Sequence, residues 1–147
     1  MFKHILVPTD GSPASQAAAA AAIDMAAESG ARITALHVLP DFHVFSYSPE
    51  MLEDTREEFM HDSMAHAGKL LEGVVHAARE RGVPCESVLA RGDRPHRKIL
   101  DAAGSHGCDL IAMASHGQLG LKGVLLGSET HKVLVHSPVP VLVFRAE

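Results

Sequence analysis

The chain has 147 residues, is 46% hydrophobic, and carries 13 Lys plus Arg against 18 Asp plus Glu, a formal net charge of -5. That size and apolar content suit one compact domain, 1–147, with a real core. The charge balance supplies no basic field to hold nucleic acid or an anionic membrane surface, so neither is expected as a partner.

In chain order, "HILVPTD" (residues 4–10) is a short apolar, β-branched run closed by Pro8, Thr9, Asp10 and Gly11, which reads as a buried strand and a turn. Ser12 followed by Pro13 is a helix start, with a hydroxyl as N-cap and proline in the first turn, and the helix runs to Gly30. Residues 17–22 are all alanine, which gives strong helix propensity and a slim flank for close packing on a sheet. "RITALHVL" (32–39) is the second strand. Residues 40–49 hold Phe42, Phe45 and Tyr47 and read as an irregular stretch, with a packed loop favoured over a lid.

Residues 50–81 form a long helical pattern in which Met60, Met64, Ala67, Leu71, Val74 and Ala78 share a face, with acids at its start and Arg79 and Arg81 before Gly82 at its end. "PCESVLA" (84–90) is the third strand, followed by a helix over about 94–105 with Asp93 as the expected N-cap. "CDLIAMAS" (108–115) is the fourth strand. A glycine-rich loop leads from it to a helix over 128–136, and "PVPVLVFR" (138–145) is the last strand. Alternating strands and helices predict a doubly wound α/β domain, a five-stranded parallel sheet with helices on both faces.

The start enters an apolar block directly, with no basic leader ahead of it, and no run reaches about eighteen apolar residues, so the expectation is a cytoplasmic protein. Cys85 and Cys108 form no C-x-x-C pair and suit a reducing compartment. The 11 histidines do not signal a metal, since no H-E-x-x-H occurs and the nearby pairs, His61 with His66 and His131 with His136, are spaced off a shared helical face.

In an open parallel sheet the ligand lies beyond the carboxyl ends of the strands where the winding reverses. For a strand order 3-2-1-4-5 that point falls between strands one and four and places Asp10 beside Ala114 and Gly117. The loop leaving it ends in Gly127-Ser128 at a helix start, where unpaired first-turn N–H groups and the positive dipole end suit an anion. The loop is neither a Walker A nor a G-x-G-x-x-G motif. On backbone logic alone, a phosphate site and a merely capped, glycine-rich turn both remain open.

The residues Ala114, Ser115-His116, Gly117, nine more, then Gly127-Ser128 and "VPVLVFR", together with "HILVPTDGSPAS" at the start, resemble the nucleotide-binding members of the universal stress protein family over essentially the whole chain. The family pattern is glycine, two residues, glycine, nine residues, glycine, then serine or threonine. The resemblance implies the order 3-2-1-4-5 and, as in many members, an ATP or AMP at the reversal point; Mg2+ with the phosphates is an optional companion of that ligand. Carried over, Pro8, Thr9 and Asp10 would border the adenosine, and Val38 would offer main-chain groups to the adenine. Met113 and Ala114 would line the ribose, Gly117 would pass under the phosphates, and Gly127, Ser128 and Thr130 would hold them.

One departure is that the first motif glycine is Ala114, which is harmless if that position lies in ordinary β space. The resemblance also implies a homodimer through the last strand. The function expected is an adenine-nucleotide-binding stress or signalling module. A slow ATP hydrolase using Asp10 with Lys122 or His116 is the alternative, and a nucleotide-free interaction module is a third.

Overall fold

A computed structural model describes residues 1–41, 49–117 and 126–145, and within the second helix it describes side chains from Arg56 onward. The elements run β1 (His4–Pro8), α1 (Pro13–Ser29), β2 (Arg32–Leu39), α2 (Pro49–Glu80), β3 (Cys85–Arg91), α3 (Pro95–Ser105), β4 (Leu110–Ala114), α4 (Ser128–His136) and β5 (Val141–Phe144). The strands form one parallel sheet in the order β3-β2-β1-β4-β5. The aromatics Phe42, Phe45 and Tyr47, and Lys122 in the glycine-rich loop, lie outside the described residues. No described helix is long and apolar enough to cross a membrane.

Strand alternation divides the core into two layers. Ile5, Val7, Ile33, Leu110 and Ala112 face α1 and α2, where Ala19, Ala22, Ile23, Ala26 and Ala78 meet them. Leu6, Leu36, Ile111 and Met113 face Ile99, Ala102 and Ala103 of α3 and Val133 of α4. The alanine run lets α1 approach the sheet closely, with Ala18, Ala22 and Ala26 wholly buried. Ser12 caps α1 by accepting from the Ser15 N–H at 3.2 Å, and Gly30, at φ 73°, closes it in the left-handed conformation.

Two expectations need correction. The last strand starts at Val141 rather than 138, because Pro138 and Pro140 have no N–H to give the ladder. Asp93 does not cap α3: the N-cap residue is Arg94, which makes no side-chain cap bond, and Asp93 Oδ1 accepts instead from the Asp41 N–H at 3.1 Å.

At the edge of the sheet where the strands begin, His4 is buried in β1. The Thr34 hydroxyl donates to Glu86 Oε1 at 3.1 Å, so His4 Nε2–H donates to Thr34 Oγ1 at 2.6 Å. The unprotonated Nδ1 is buried with no partner among the described residues. Burial, with the nearby Arg32 charge, pushes the His4 pKa below its ordinary 6.5, against smaller opposing pulls from Glu86 and Asp109. A depressed pKa gives stability that is present above the unfolded value and lost as pH falls through the folded value. Urea midpoints measured at about pH 7.5 and about pH 5 should therefore show the wild type weakened in acid, with a smaller drop in His4→Gln. Equal drops in the two proteins would show that His4 is not the titrating group.

Candidate functional site at the carboxyl ends of the strands

β1 is hydrogen-bonded to both β2 and β4, so the winding diverges at the β1/β4 boundary and leaves a crevice above their carboxyl ends. On the β1 side the backbone is fixed by short-range bonds. The Thr9 N–H donates to the Leu36 carbonyl at 2.8 Å, and Thr9 Oγ1 meets Ser15 Oγ at 3.0 Å. The His37 ring donates from Nδ1 to the Thr9 carbonyl at 2.8 Å. Asp10 Oδ1 accepts from the Ser12 N–H at 2.9 Å, forming a side-chain turn that sets the carboxylate at the start of α1.

On the β4 side the chain leaves the sheet and returns as α4. Gly127 is the N-cap residue, and its N–H donates to the Ser115 carbonyl at 2.6 Å. Thr130, in the first turn, donates from Oγ1 to the Ala114 carbonyl at 3.0 Å. The two bonds tie the start of α4 to the end of β4. This corrects the expectation that the Gly127 amide is unpaired. The N–H groups with no partner among the described residues are those of Ser128, Glu129 and Thr130, the first turn proper.

The motif glycines serve close approach rather than unusual dihedrals. Neither has a positive φ. A Cβ on Gly117 would lie 2.5 Å from Asp10 Oδ2, and one on Gly127 would lie 3.0 Å from the Ser115 carbonyl oxygen. Ala114, the departure from the pattern, is a buried residue at the end of β4, and no non-glycine residue among those described has a positive φ. Its methyl carries no backbone penalty.

The crevice is a cavity of about 900 Å3, and all ten candidate residues line it: Pro8, Thr9, Asp10, Val38, Met113, Ala114, Gly117, Gly127, Ser128 and Thr130. That volume falls in the range of small-molecule pockets, roughly 300–1,000 Å3. Sequence reasoning missed part of the wall. Leu36, Pro40, Pro95 and Ile99 extend its apolar side, and Glu129, His131 and Lys132 add to its polar end, where His116 also lies. The α3 residues could not have been found without knowing that α3 packs beside α4. Glu129 and Lys132 follow directly on Gly127-Ser128, and that adjacency was the available signal.

Glu129 supplies the cap that Asp93 does not. Its Oε2 accepts the backbone N–H of His96, in the first turn of α3, at 2.8 Å and the His96 Nδ1–H at 2.9 Å. Its Oε1 is 3.4 Å from Lys132 Nζ. Burial by itself would raise the Glu129 pKa, but these donors and the Lys132 charge outweigh it and hold the carboxyl below its ordinary value. Asp10 and Glu129 together give the polar end two carboxylates, while the first turn of α4 gives it a run of amide donors.

The family model described as the universal stress protein family matches residues 1–145. The chain is 37% identical over 153 aligned positions to universal stress protein YxiE of Bacillus subtilis, covering 99% of this chain and 100% of that one. It is 34% identical to a universal stress protein of Thermus aquaticus, covering 99% and 100%. Among solved structures, universal stress protein UspA from Lactobacillus plantarum superposes with a TM-score of 0.85 at 30% identity, covering 98% of each chain.

Adding the same methyl at two glycines should have opposite effects. Gly127→Ala presses on the Ser115 carbonyl, a backbone atom 3.0 Å from the new Cβ, and puts a poor N-cap residue at the start of α4, so it should cost about 1 kcal/mol or more of stability. Gly73→Ala, in the interior of α2 with nothing within 4 Å of the new Cβ, should add about 0.5–1 kcal/mol. Urea denaturation of both variants checks the pair; a neutral Gly127→Ala would mean that the Ser115 carbonyl yields without cost to folding.

Proposed function

The chain belongs to the universal stress protein family, and from that premise we propose that the crevice above β1 and β4 binds an adenine nucleotide whose occupancy sets the conformation or partners of a stress-response module. The observation that carries the reading is the combination of an apolar wall, from Pro8, Val38, Met113 and Ile99, with a polar end built on the amides of Ser128, Glu129 and Thr130, which have no partner among the described residues. A planar base suits the former and a phosphate the latter. Gly117 and Gly127 keep the backbone close on that side, where a Cβ would meet Asp10 or the Ser115 carbonyl.

Proteins of this fold have been solved with AMP (from Arabidopsis thaliana), with dAMP (from Archaeoglobus fulgidus) and with cAMP, at 21%, 18% and 23% identity respectively. At that distance they share the fold with this chain. The argument for a ligand rests on this chain's own residues.

In this reading Pro8, Thr9 and Asp10 border the adenosine, Val38 presents its main chain to the base, and Met113 and Ala114 line the ribose. Gly117, Gly127, Ser128 and Thr130 surround the phosphate. The pocket fits the group, since a charged tail placed at the start of α4 finds donors and a favourable dipole. Magnesium arriving with the phosphates would find an oxygen donor of the kind it uses in Asp10. The role is binding. Hydrolysis would need a base beside a positioned water and a cation on the leaving phosphate, and no observation on the described residues favours it.

We also place a homodimer contact at β5. Leu142 on this edge strand, and Leu134 and Val135 on the adjoining α4, are exposed apolar side chains, a surface that a second copy would cover. Both cysteines are free, and burial pushes the Cys108 thiol up to about 11; we place the chain in a reducing compartment such as the cytoplasm on the absence of a C-x-x-C pair from its sequence.

Equilibrium dialysis should retain AMP and ATP at millimolar concentration, and Asp10→Ala should weaken AMP by about tenfold, the loss of one charge-assisted contact. No retention of either nucleotide by the folded wild type would refute the reading. Light scattering at micromolar protein should give twice the 15.6 kDa chain mass; a single-chain mass would remove the dimer.

A further inference from the structure

Among the described residues that line the polar end, two carboxylates, Asp10 and Glu129, stand with one ammonium, Lys132. The important member is Glu129, because its charge cannot move away. It lies in the first turn of α4, one residue past Ser128, and at the same time caps α3 by accepting the His96 N–H at 2.8 Å and Nδ1–H at 2.9 Å. Swinging it out would leave the start of α3 uncapped, since Arg94 offers no side-chain bond there. It also engages Lys132 at 3.4 Å, so this ammonium is shared with the protein's own carboxylate rather than given wholly to a ligand.

We infer that Glu129 is a specificity-determining residue that biases the pocket toward nucleoside monophosphates and against the longer polyphosphate tails. The inference rests on the nucleotide reading above. One phosphate is served by the amides of Ser128, Glu129 and Thr130. A tail of three carries additional negative charge into the neighbourhood of a fixed carboxylate, and like charges held close repel in proportion to both charges. The ligand with more charge bears more of the penalty.

The test is calorimetric titration of the full chain with AMP and with ATP, at low ionic strength, without and with excess magnesium. Without metal, wild type should bind AMP at least as tightly as ATP. Glu129→Gln keeps an oxygen to accept the His96 N–H and removes the charge, so ATP should gain about fivefold relative to AMP. Lys132→Gln should move the ratio the other way. Magnesium, by neutralising the tail, should shrink the effect of both substitutions.

A ratio unchanged within about twofold in Glu129→Gln, accompanied by a lowered Tm, would reduce Glu129 to a helix cap and overturn the inference while AMP binding stands. Wild type binding ATP about tenfold or more tighter than AMP without metal would also overturn it. Binding of neither nucleotide would refute the broader reading, and the inference would fall with it. Should Glu129→Gln not fold, the salt dependence of wild type decides. Repulsion screened by salt makes the affinity for ATP rise relative to AMP as ionic strength increases, and a fall in that ratio counts against the inference.

Discussion

Two hydrogen bonds from the start of α4 to the end of β4 govern the rest of the site. The Gly127 N–H reaches the Ser115 carbonyl at 2.6 Å, and the Thr130 hydroxyl reaches the Ala114 carbonyl at 3.0 Å. A helix start is otherwise among the softer parts of a fold, because its first N–H groups lack intrahelical partners. Here the backbone before the first turn and the side chain that ends it are both held to a buried strand. The three amides between these anchors are consequently presented in a fixed direction over the crevice. Such prior ordering reduces the conformational cost of binding an anion.

The second constraint is electrostatic. α1 and α4 both begin at the edge of the sheet where β1 and β4 end, and α3 begins there beside α4. Their dipoles make this edge attractive to negative charge. The protein places its own carboxylates there: Asp10 accepts the Ser12 N–H at the start of α1, and Glu129 accepts the His96 N–H in the first turn of α3. Among the described residues, the first turn of α4 is what the proposed reading leaves for a phosphate. The same arrangement limits how much further charge that place accepts.

Much of this was legible in the residues because it is local. Ser12-Pro13 and Gly30 mark the ends of α1 through cap chemistry that operates within a few positions, and the apolar blocks of β1, β2 and β4 are buried on both faces as their composition demands. The ten candidate residues share one cavity because strand ends in a parallel sheet must converge there. Tertiary substitutions for local rules were not legible. Asp93 has the chemistry of an N-cap, yet the cap of α3 arrives from Glu129, 33 residues beyond the amide it serves. Gly127 looked like a free donor because its acceptor, the Ser115 carbonyl, lies across the whole glycine-rich loop. The α3 wall of the cavity depended on helix packing that no spacing in the chain encodes.

The central claim is that the first-turn amides of α4 meet the phosphate of a nucleotide, and amide-resolved NMR reads it directly. Titration with AMP should shift the N–H resonances of Ser128, Glu129 and Thr130 strongly, while adenosine, which lacks the phosphate, should shift residues such as Val38 and leave those three largely in place. If AMP and adenosine perturb the same set, or if the three amides stay unmoved under saturating AMP, the phosphate does not sit at α4 and the account of this site is wrong.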